Sequence, residues 1–235
     1  MSNKYGNGYF DEAAQNRGLA ISRGMAGVFG LMFLGLLASA ASAVFTLSSP
    51  FMWNLVFGSS VGFWAFLIAP FLLVAFAFPR VWSMSPGAAF GLFLFYALLN
   101  GVTLSVIFLA YDLGTITLAF ASAAGMFGVM AVYGAVTKAD LSGVGSFLFM
   151  GLIGIIIATV INFFFASDAL DMLISYAGIA IFLGLTAYDV QRIQTAMNDP
   201  ANPNPTGVAV TGALHLYLDF LNIFLFLLRL MGRRR

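Results

Sequence analysis

Seven apolar runs, each about twenty residues long or slightly longer, make up most of the sequence. A helix needs about 20 apolar residues to cross roughly 30 Å of hydrocarbon. A membrane barrel would instead show alternating segments of about ten residues. The pattern therefore predicts an all-α, polytopic membrane protein with seven transmembrane helices. The predicted spans are residues 24–47, 55–78, 88–111, 115–135, 144–166, 172–193 and 208–230.

The composition excludes several classes of function. Hydrophobic residues form 61% of the chain and charged residues only 8%, which is too little charge to cover a soluble domain. A net charge of +1 is too small to indicate nucleic-acid binding. With no cysteine and one histidine, the chain lacks the ligands of thiol or multi-histidine metal sites. We expect no enzyme activity, no cofactor and no nucleic-acid partner; the lipid bilayer is the main surrounding.

The predicted organisation is a single domain over residues 24–230. A polar N-terminal tail (1–23) precedes this domain, and a basic C-terminal tail (231–235) follows it. The links are short and rich in turn-forming residues, so successive helices are expected to be antiparallel neighbours. The longest link, residues 194–207, is rich in Asn and Pro and is predicted to be a polar, mobile surface loop.

Small and polar residues inside the spans are predicted to join the helices. Glycine lets helix backbones approach each other in lipid, and an asparagine side chain forms hydrogen bonds between helices. For Asn100 and Asn162, lining of a water-filled path is the alternative. For the recurring glycines, a hinge or gate is the alternative to helix packing. These glycines are Gly24/Gly27/Gly30, Gly87/Gly91, Gly125/Gly128 and Gly151/Gly154.

The distribution of charge predicts the orientation. The N-terminal tail, Arg80, Lys138 and Arg192 fall on one side of a seven-span topology, and positive residues mark the cytoplasmic side. The N-terminus is therefore expected in the cytoplasm. Residues 233–235, three arginines, conflict with this orientation. A full crossing of the last run is favoured over a re-entrant segment, because that run is about 23 residues long. The opposite side carries Asp112, Asp168 and Asp171.

Two aspartates lie inside apolar runs, Asp189 in the sixth and Asp219 in the seventh. A charged side chain at membrane depth costs at least a few kcal/mol, so it needs a partner or a function. The helix rise places Asp189 roughly 6 Å and Asp219 roughly 15 Å from the same side. Two carboxyl groups in a low-dielectric site cannot both ionise cheaply, so the pair is predicted to share one proton. The alternative is a pair that only pins two helices together.

A cation could replace that shared proton. Oxygen ligands suit calcium, but two carboxylates are too few for a tight calcium site. Weak binding or passage of calcium at Asp189 and Asp219 is therefore the expectation.

Three other residues are candidate modulators of the pair. His215 and Asn222 share one helix face with Asp219. The imidazole of His215 could donate to Asp219 and titrate near neutral pH, or it could face lipid headgroups or a neighbouring helix. Arg80, on the same side as Asp189, could pair with a carboxylate, or it could only set the topology.

Two motifs resemble the Bax inhibitor-1 family of membrane proteins. They are residues 184–191, Gly-Leu-Thr-Ala-Tyr-Asp-Val-Gln, and residues 212–222, Gly-Ala-Leu-His-Leu-Tyr-Leu-Asp-Phe-Leu-Asn. Residues 124–128, 137–142 and 145–151 support the resemblance, which extends from the third span onward.

The resemblance implies a seven-helix bundle in which the C-terminal helix is central. It also implies a pH-sensitive calcium leak gated by a hydrogen-bonded aspartate pair, which maps onto Asp189 and Asp219. An arginine that latches the closed state in some members maps near Arg80, although the local motif differs. Members more often carry a small hydroxyl residue at the position of His215, so the resemblance does not extend to the exact pH response of this chain. The lack of a long lysine-rich tail favours a bacterial inner-membrane protein.

The sequence therefore leads to the hypothesis of a proton-gated calcium or cation leak. One alternative is a regulator that transports nothing and binds another membrane protein, such as a protease complex. A third class is an intramembrane aspartyl protease, in which two aspartates share one proton and activate water. The residues around Asp189 and Asp219 do not resemble the motifs of such proteases.

Overall fold

The computed structural model describes the backbone of residues 4–199, 201 and 204–232, and the side chains from Arg23 onward. Throughout this described part the chain is helical and contains no strand. Seven of its helices are long and apolar enough to cross a membrane, which confirms the predicted fold class. These spans are Arg23–Ser48, Ser60–Ser83, Pro86–Ala110, Leu113–Val136, Ser142–Phe165, Asp168–Asn198 and Pro205–Gly232.

Eight α-helices make up these spans and one connection. Helix α1 begins at Lys4, so most of the predicted polar tail is helical, and residues 233–235 lie outside the described part. The bounds are α1 Lys4–Ser48, α2 Pro50–Phe57, α3 Ser60–Leu72, α4 Pro86–Ala110, α5 Leu113–Val136, α6 Ser142–Phe165, α7 Asp168–Asn198 and α8 Pro205–Gly232.

Hydroxyl and carboxylate side chains cap the starts of five helices. At each of these helix starts the side chain accepts a hydrogen bond from the backbone N–H three residues ahead, which satisfies a donor that the first turn leaves unpaired. The helix starts predicted from short polar links are therefore supported by local chemistry. The capping residues are Ser49, Ser59, Ser85, Asp112 and Ser167.

The second span is less regular than the predicted run of residues 55–78. Helix α2 ends at Phe57, α3 begins at Ser60, and the span continues as a π turn (Leu73–Ala77) and a 3₁₀ turn (Phe78–Ser83). Pro70 lies inside α3 and cannot donate to the carbonyl of Phe66. The hydroxyl of Thr103 on α4 donates to that carbonyl at 2.9 Å. A backbone acceptor in the hydrocarbon region is thereby satisfied by a neighbouring helix.

The prediction of a long mobile loop at residues 194–207 is wrong. Helix α7 continues to Asn198 and α8 begins at Pro205, so the link is residues 199–204, of which 200 and 202–203 lie outside the described part. Asn204 accepts from the N–H of Gly207 and donates to the carbonyl of Trp82. This asparagine ties the start of α8 to the 3₁₀ turn.

Helix α8 is the centre of the bundle. In its most apolar stretch 56% of the residues are buried, against 11% in α6 and in the second span. It packs against α1, α4, α5 and α7, whereas α6 packs on α7 and α3 on α4. The predicted central position of the C-terminal helix is confirmed.

The helix directions define two ends of the bundle. The Lys138 end carries the 3₁₀ turn and the links 137–141 and 199–204. The Asp112 end carries the links at residues 111–112 and 166–167. Arg80 and Arg192 belong to the first end, and the acidic starts of α5 and α7 belong to the second.

Only some of the glycines that the sequence pattern singled out allow close helix contacts. A methyl group on Gly24 or Gly151 would collide with the side chain of Met197 or Ile181 of α7, respectively. A methyl group on Gly87, Gly91, Gly125 or Gly128 would meet open space, so the packing role predicted for these pairs is wrong. Backbones come closest at Gly101 and Gly134. A methyl group there would collide with the carbonyls of Ser39 on α1 and Ala187 on α7, respectively.

Of the two asparagines predicted to form hydrogen bonds between helices, Asn100 does so and Asn162 does not. Asn100 donates to the hydroxyl of Tyr217 on another helix at 2.9 Å, as predicted. Asn162 accepts from the N–H of Ser167 at 3.0 Å, next to Ala166, which has a positive φ of 47°. The interhelical bond predicted for Asn162 is therefore wrong, because its amide supports the turn that follows α6.

Candidate functional site

Asp219 and Asp189 face each other across the contact between α8 and α7. Asp219 is 4% exposed and Asp189 is 8% exposed, and the two carboxyl groups interact electrostatically. Helix rise places Asp189 about 14 Å from the end of α7 at Asn198, and Asp219 about 21 Å from the start of α8 at Pro205. Both carboxyl groups therefore lie farther from the ends of their helices than the predicted spans placed them.

One oxygen of Asp219 is orphaned. Its Oδ2 atom is buried and has no hydrogen-bond partner within the described part of the chain. Thr186, fully buried on α7, is the polar side chain that contacts this carboxyl group. The Thr186 hydroxyl donates to the carbonyl of Phe182 at 2.8 Å, so its proton is already committed. A buried acceptor without a donor is costly unless the carboxyl group carries a proton or meets a cation.

His215 lies beside Asp189 and not beside Asp219. Its Nδ1 atom is 3.9 Å from Oδ2 of Asp189, and its side chain is 42% exposed. Helix rise explains the difference: His215 is about 15 Å from Pro205, level with Asp189, whereas Asp219 is one turn deeper. The predicted contact between His215 and Asp219 is therefore replaced by one across the helix interface. Arg192, on the same helix as Asp189, is the second basic group that acts on this carboxyl group.

The other two candidate modulators have local partners. The guanidinium of Arg80 donates to the carbonyl of Phe76, and it forms no ion pair with a described residue. The amide of Asn222 donates to the carbonyl of Leu218 on its own helix at 2.8 Å. In this conformation neither side chain bonds to the aspartate pair.

The comparisons with known proteins agree with this architecture. The family described as "Inhibitor of apoptosis-promoting Bax1" matches residues 22–235. The chain belongs to the Bax inhibitor-1 family.

Curated relatives match over nearly their full length. An uncharacterized protein of Borreliella burgdorferi is 46% identical over 213 residues, which is 90% of this chain and 92% of that protein. Inner membrane protein YbhL of Escherichia coli (strain K12) is 42% identical over 215 residues, with the same coverage. This member of the Bax inhibitor-1 family is accordingly an integral membrane protein.

The oxygen donors at the aspartate pair are fewer than a resident calcium ion requires. The two carboxyl groups and the Thr186 hydroxyl are oxygen donors, whereas calcium takes six to eight such ligands. No group of three or more acidic, histidine or cysteine side chains able to hold a metal occurs among the described residues. The side chains at Asp189 and Asp219 are therefore too few to hold a resident calcium ion.

An open cavity of about 560 Å³ lies at the Lys138 end, next to the residues that flank Asp189. Tyr188 and Arg192 of α7 line it from one side, and Asp140 of the α5–α6 link lines it from the other. Hydrogen bonds from the backbone and side chain of Ser142 hold the pKa of Asp140 below its ordinary value. The carboxylate of Asp140 thus stays ionised at the rim of the cavity around neutral pH.

Gln191, the last residue of the 184–191 motif, has a structural role that the sequence did not predict. Its amide nitrogen donates to the carbonyl of Ala139 at 2.8 Å, and its oxygen accepts from the N–H of Leu141 at 2.9 Å. Both partners belong to the α5–α6 link. Gln191 therefore joins the part of α7 that carries Asp189 to the wall of the cavity.

We expect Gln191→Glu to loosen the α5–α6 link. The carboxylate can still accept from Leu141 but cannot donate to the carbonyl of Ala139, and one hydrogen bond is worth about 1 kcal/mol. Hydrogen–deuterium exchange at Leu141 should become several-fold faster. Thr195→Ala is the control, because among the described residues that hydroxyl bonds to the carbonyl of Gln191 on its own helix and not to the α5–α6 link. Equal exchange in the Gln191→Glu variant and the wild type would contradict the role of this amide.

A second pairing of α7 with α8, at the Asp112 end, was also missed from the sequence. Nη1 of Arg229 lies 3.1 Å from Oδ1 of Asp171, and the guanidinium is 5.8 Å from the ring centre of Phe226. Asp171 is in the first turn of α7 and Arg229 in the last turn of α8. For antiparallel neighbours those positions are adjacent, so the topology could have predicted the pair.

Proposed function

We propose that this protein is a pH-sensitive leak for calcium and similar cations, in which the pair Asp189–Asp219 is the gate. The observation that supports the proposal is the buried Asp219 carboxyl, with an unpartnered oxygen and a second carboxyl group opposite it. One shared proton satisfies both groups. Its loss leaves two like charges in a low-dielectric site, which repel each other across the α7–α8 contact.

The contacts on each side of the pair support opening at the Lys138 end. At the Asp112 end, the ion pair between Asp171 and Arg229 joins α7 to α8. Toward the Lys138 end, the open cavity adjoins Tyr188 and Arg192. Repulsion between the two aspartates would separate α7 from α8, and the cavity, which α7 lines together with the α5–α6 link and the start of α6, leaves room beside α7 at this end.

Calcium enters this proposal as cargo. The carboxyl oxygens of Asp189 and Asp219 are hard ligands that can replace part of the ion's hydration shell. Their small number favours rapid release, which conduction requires. The same carboxylates would therefore hold a proton in the closed state and touch the passing cation in the open state.

The proposed location is a bacterial inner membrane with the Lys138 end in the cytoplasm. The Escherichia coli relative carries the description inner membrane protein. Arg23, Arg80, Lys138 and Arg192 lie at the Lys138 end, and positive residues favour the cytoplasmic side.

Calcium flux into proteoliposomes at stepped pH tests the proposal. We expect wild-type flux to rise with pH, because deprotonation of the pair opens the gate. Asp189→Asn and Asp219→Asn should each abolish most of this pH dependence, since a single carboxyl group has no like charge to repel. Asp112→Asn is the control, because asparagine caps a helix as well as aspartate does and this residue lies at the other end.

The outcomes also separate the alternatives. Flux and pH dependence that stay unchanged in both variants would refute the gate. A purified wild type without flux, which copurifies with a stoichiometric membrane-protein partner, would favour a regulator. Cleavage of a transmembrane reporter that depends on both aspartates would favour a protease.

A further inference from the structure

The face of α8 opposite Asp219 carries a second buried polar group, Tyr217. Two residues along a helix correspond to a rotation of about 200°, so Tyr217 points away from α7. The residue is fully buried, and its ring lies edge-on to Phe93 and Tyr96 of α4, with centroids 6.0 and 5.9 Å apart. Tyr217 thus lies between α1 and α4.

The Tyr217 hydroxyl is part of a directed chain of hydrogen bonds. The amide of Asn100 donates to this hydroxyl at 2.9 Å, and the hydroxyl lies 2.6 Å from Oγ of Ser39. Ser39 Oγ also contacts the carbonyls of Ala97 and Gly35, at 2.8 and 2.9 Å. A carbonyl can only accept, so the single hydroxyl proton of Ser39 points to the carbonyls. Tyr217 must then donate to Ser39, and the chain links α4, α8 and α1.

Helices α1 and α4 pack closely around Tyr217. A methyl group on Gly35 would collide with the ring of Phe93, which packs edge-on against Tyr217, and would lie 3.3 Å from the Tyr217 ring itself. A methyl group on Gly101 would collide with the backbone of Ser39. A rotation of α8, or a slide by one residue, about 1.5 Å, would break the hydrogen bonds of Tyr217.

We propose that Tyr217 is a positioning residue that holds α8 so that Asp219 faces Asp189. Its hydroxyl anchors one face of the helix to α1 and α4, which fixes the height and direction of the carboxyl group on the other face. The inference builds on the proposed function, because it assigns a further residue to the same gate. In this arrangement α8 stays fixed against α1 and α4, so separation of the two aspartates would displace the segment of α7 that carries Asp189.

Few ionisable groups face these two side chains. Asp219 faces Asp189 of α7, which in turn interacts with His215 and Arg192. Tyr217 faces Tyr96 of α4, and its α1 partner Ser39 does not ionise. The α5 residues that pack against α8 here are Phe120 and Phe127. A change in proton binding on Tyr217→Phe would therefore report a displaced aspartate pair.

Tyr217→Phe and Tyr96→Phe form a matched pair of variants. Each removes one phenolic hydroxyl from the same buried cluster, but the Tyr96 hydroxyl makes no hydrogen bond to a described residue, whereas that of Tyr217 makes two. Two readouts are needed. The infrared carbonyl band of the protonated aspartate, identified by its loss in Asp219→Asn, is titrated with pH. Calcium flux is measured over the same range.

We expect Tyr217→Phe to move the midpoint of the band titration by about half to one pH unit, the equivalent of one hydrogen bond. Tyr96→Phe should leave it in place. A lower thermal midpoint with an unmoved band in Tyr217→Phe would overturn the inference, as it would show only a structural contact. Absence of any band that Asp219→Asn removes would overturn it too. A band that responds as expected in a protein without flux supports the positioning role and refutes the leak.

Discussion

Asp219→Asn is expected to remove most of the pH dependence of thermal stability in the purified protein. In the proposed gate, the pair Asp189–Asp219 holds a proton at low pH and two negative charges at high pH, so we expect the folded wild type to lose stability as pH rises. An uncompensated buried charge costs about 3–5 kcal/mol. With asparagine at 219, the amide donates to Asp189 and no second charge forms. The stability of this variant should exceed that of the wild type at high pH.

Thermal unfolding in detergent at stepped pH measures this effect without any assay of transport. Asp112→Asn, which keeps its helix cap, should follow the wild-type curve. If Asp219→Asn showed the wild-type loss of stability on raising the pH, like-charge repulsion at the pair could not be its cause. The measurement therefore tests proton sharing separately from permeation.

The aspartate pair was predictable from the sequence because placing a carboxyl group inside the membrane costs free energy. A carboxyl group in an apolar run stands out, and two such groups near the same end of adjacent antiparallel helices indicate a contact. The partner of His215 was not predictable in the same way. The helix pattern shows which residues share a face, but the level of one helix relative to another depends on the link. The observed link, residues 199–204, is shorter than the predicted link, residues 194–207. With this shorter link, His215 lies level with Asp189.

The close-packed glycines were misjudged because lipid is as apolar as the interior of the bundle. In a soluble protein, polar residues mark the outward face of a helix, but in a membrane both faces are apolar. Spacing alone therefore singled out Gly125 and Gly128, which meet open space, and passed over Gly134, which lies against α7. Only the packing of neighbouring helices separates the two cases.

Tyr217 was missed for a related reason. Tyrosine, serine and asparagine are ordinary residues in a transmembrane run, because each can satisfy its polar atoms locally or at the membrane surface. The cluster of Ser39, Asn100 and Tyr217 joins three helices that are far apart in sequence. No spacing rule connects these three residues. A buried carboxyl group, by contrast, can be recognised from a single aspartate in an apolar run.

Gly134→Ala is expected to lower stability and disturb the gate at the same time. An added methyl group would collide with the carbonyl oxygen of Ala187 on α7. A backbone carbonyl cannot change rotamer as a side chain can, so α5 and α7 must separate. Such overpacking typically costs about 1–3 kcal/mol. Ala187 lies two residues before Asp189, so the displaced segment of α7 carries the carboxyl group. We expect a lower thermal midpoint together with calcium flux at pH values where the wild type is closed.

Gly125→Ala on the same helix is the matched control. Its methyl group would meet open space, and alanine favours a helix by about 1 kcal/mol over glycine, so its stability should equal or exceed that of the wild type. Both substitutions increase helix propensity, so a loss of stability in Gly134→Ala alone would report the α5–α7 contact. A Gly134→Ala variant as stable as Gly125→Ala would show that α7 yields to the added volume. If that stable variant also kept wild-type flux, the position of α7 would not control the gate.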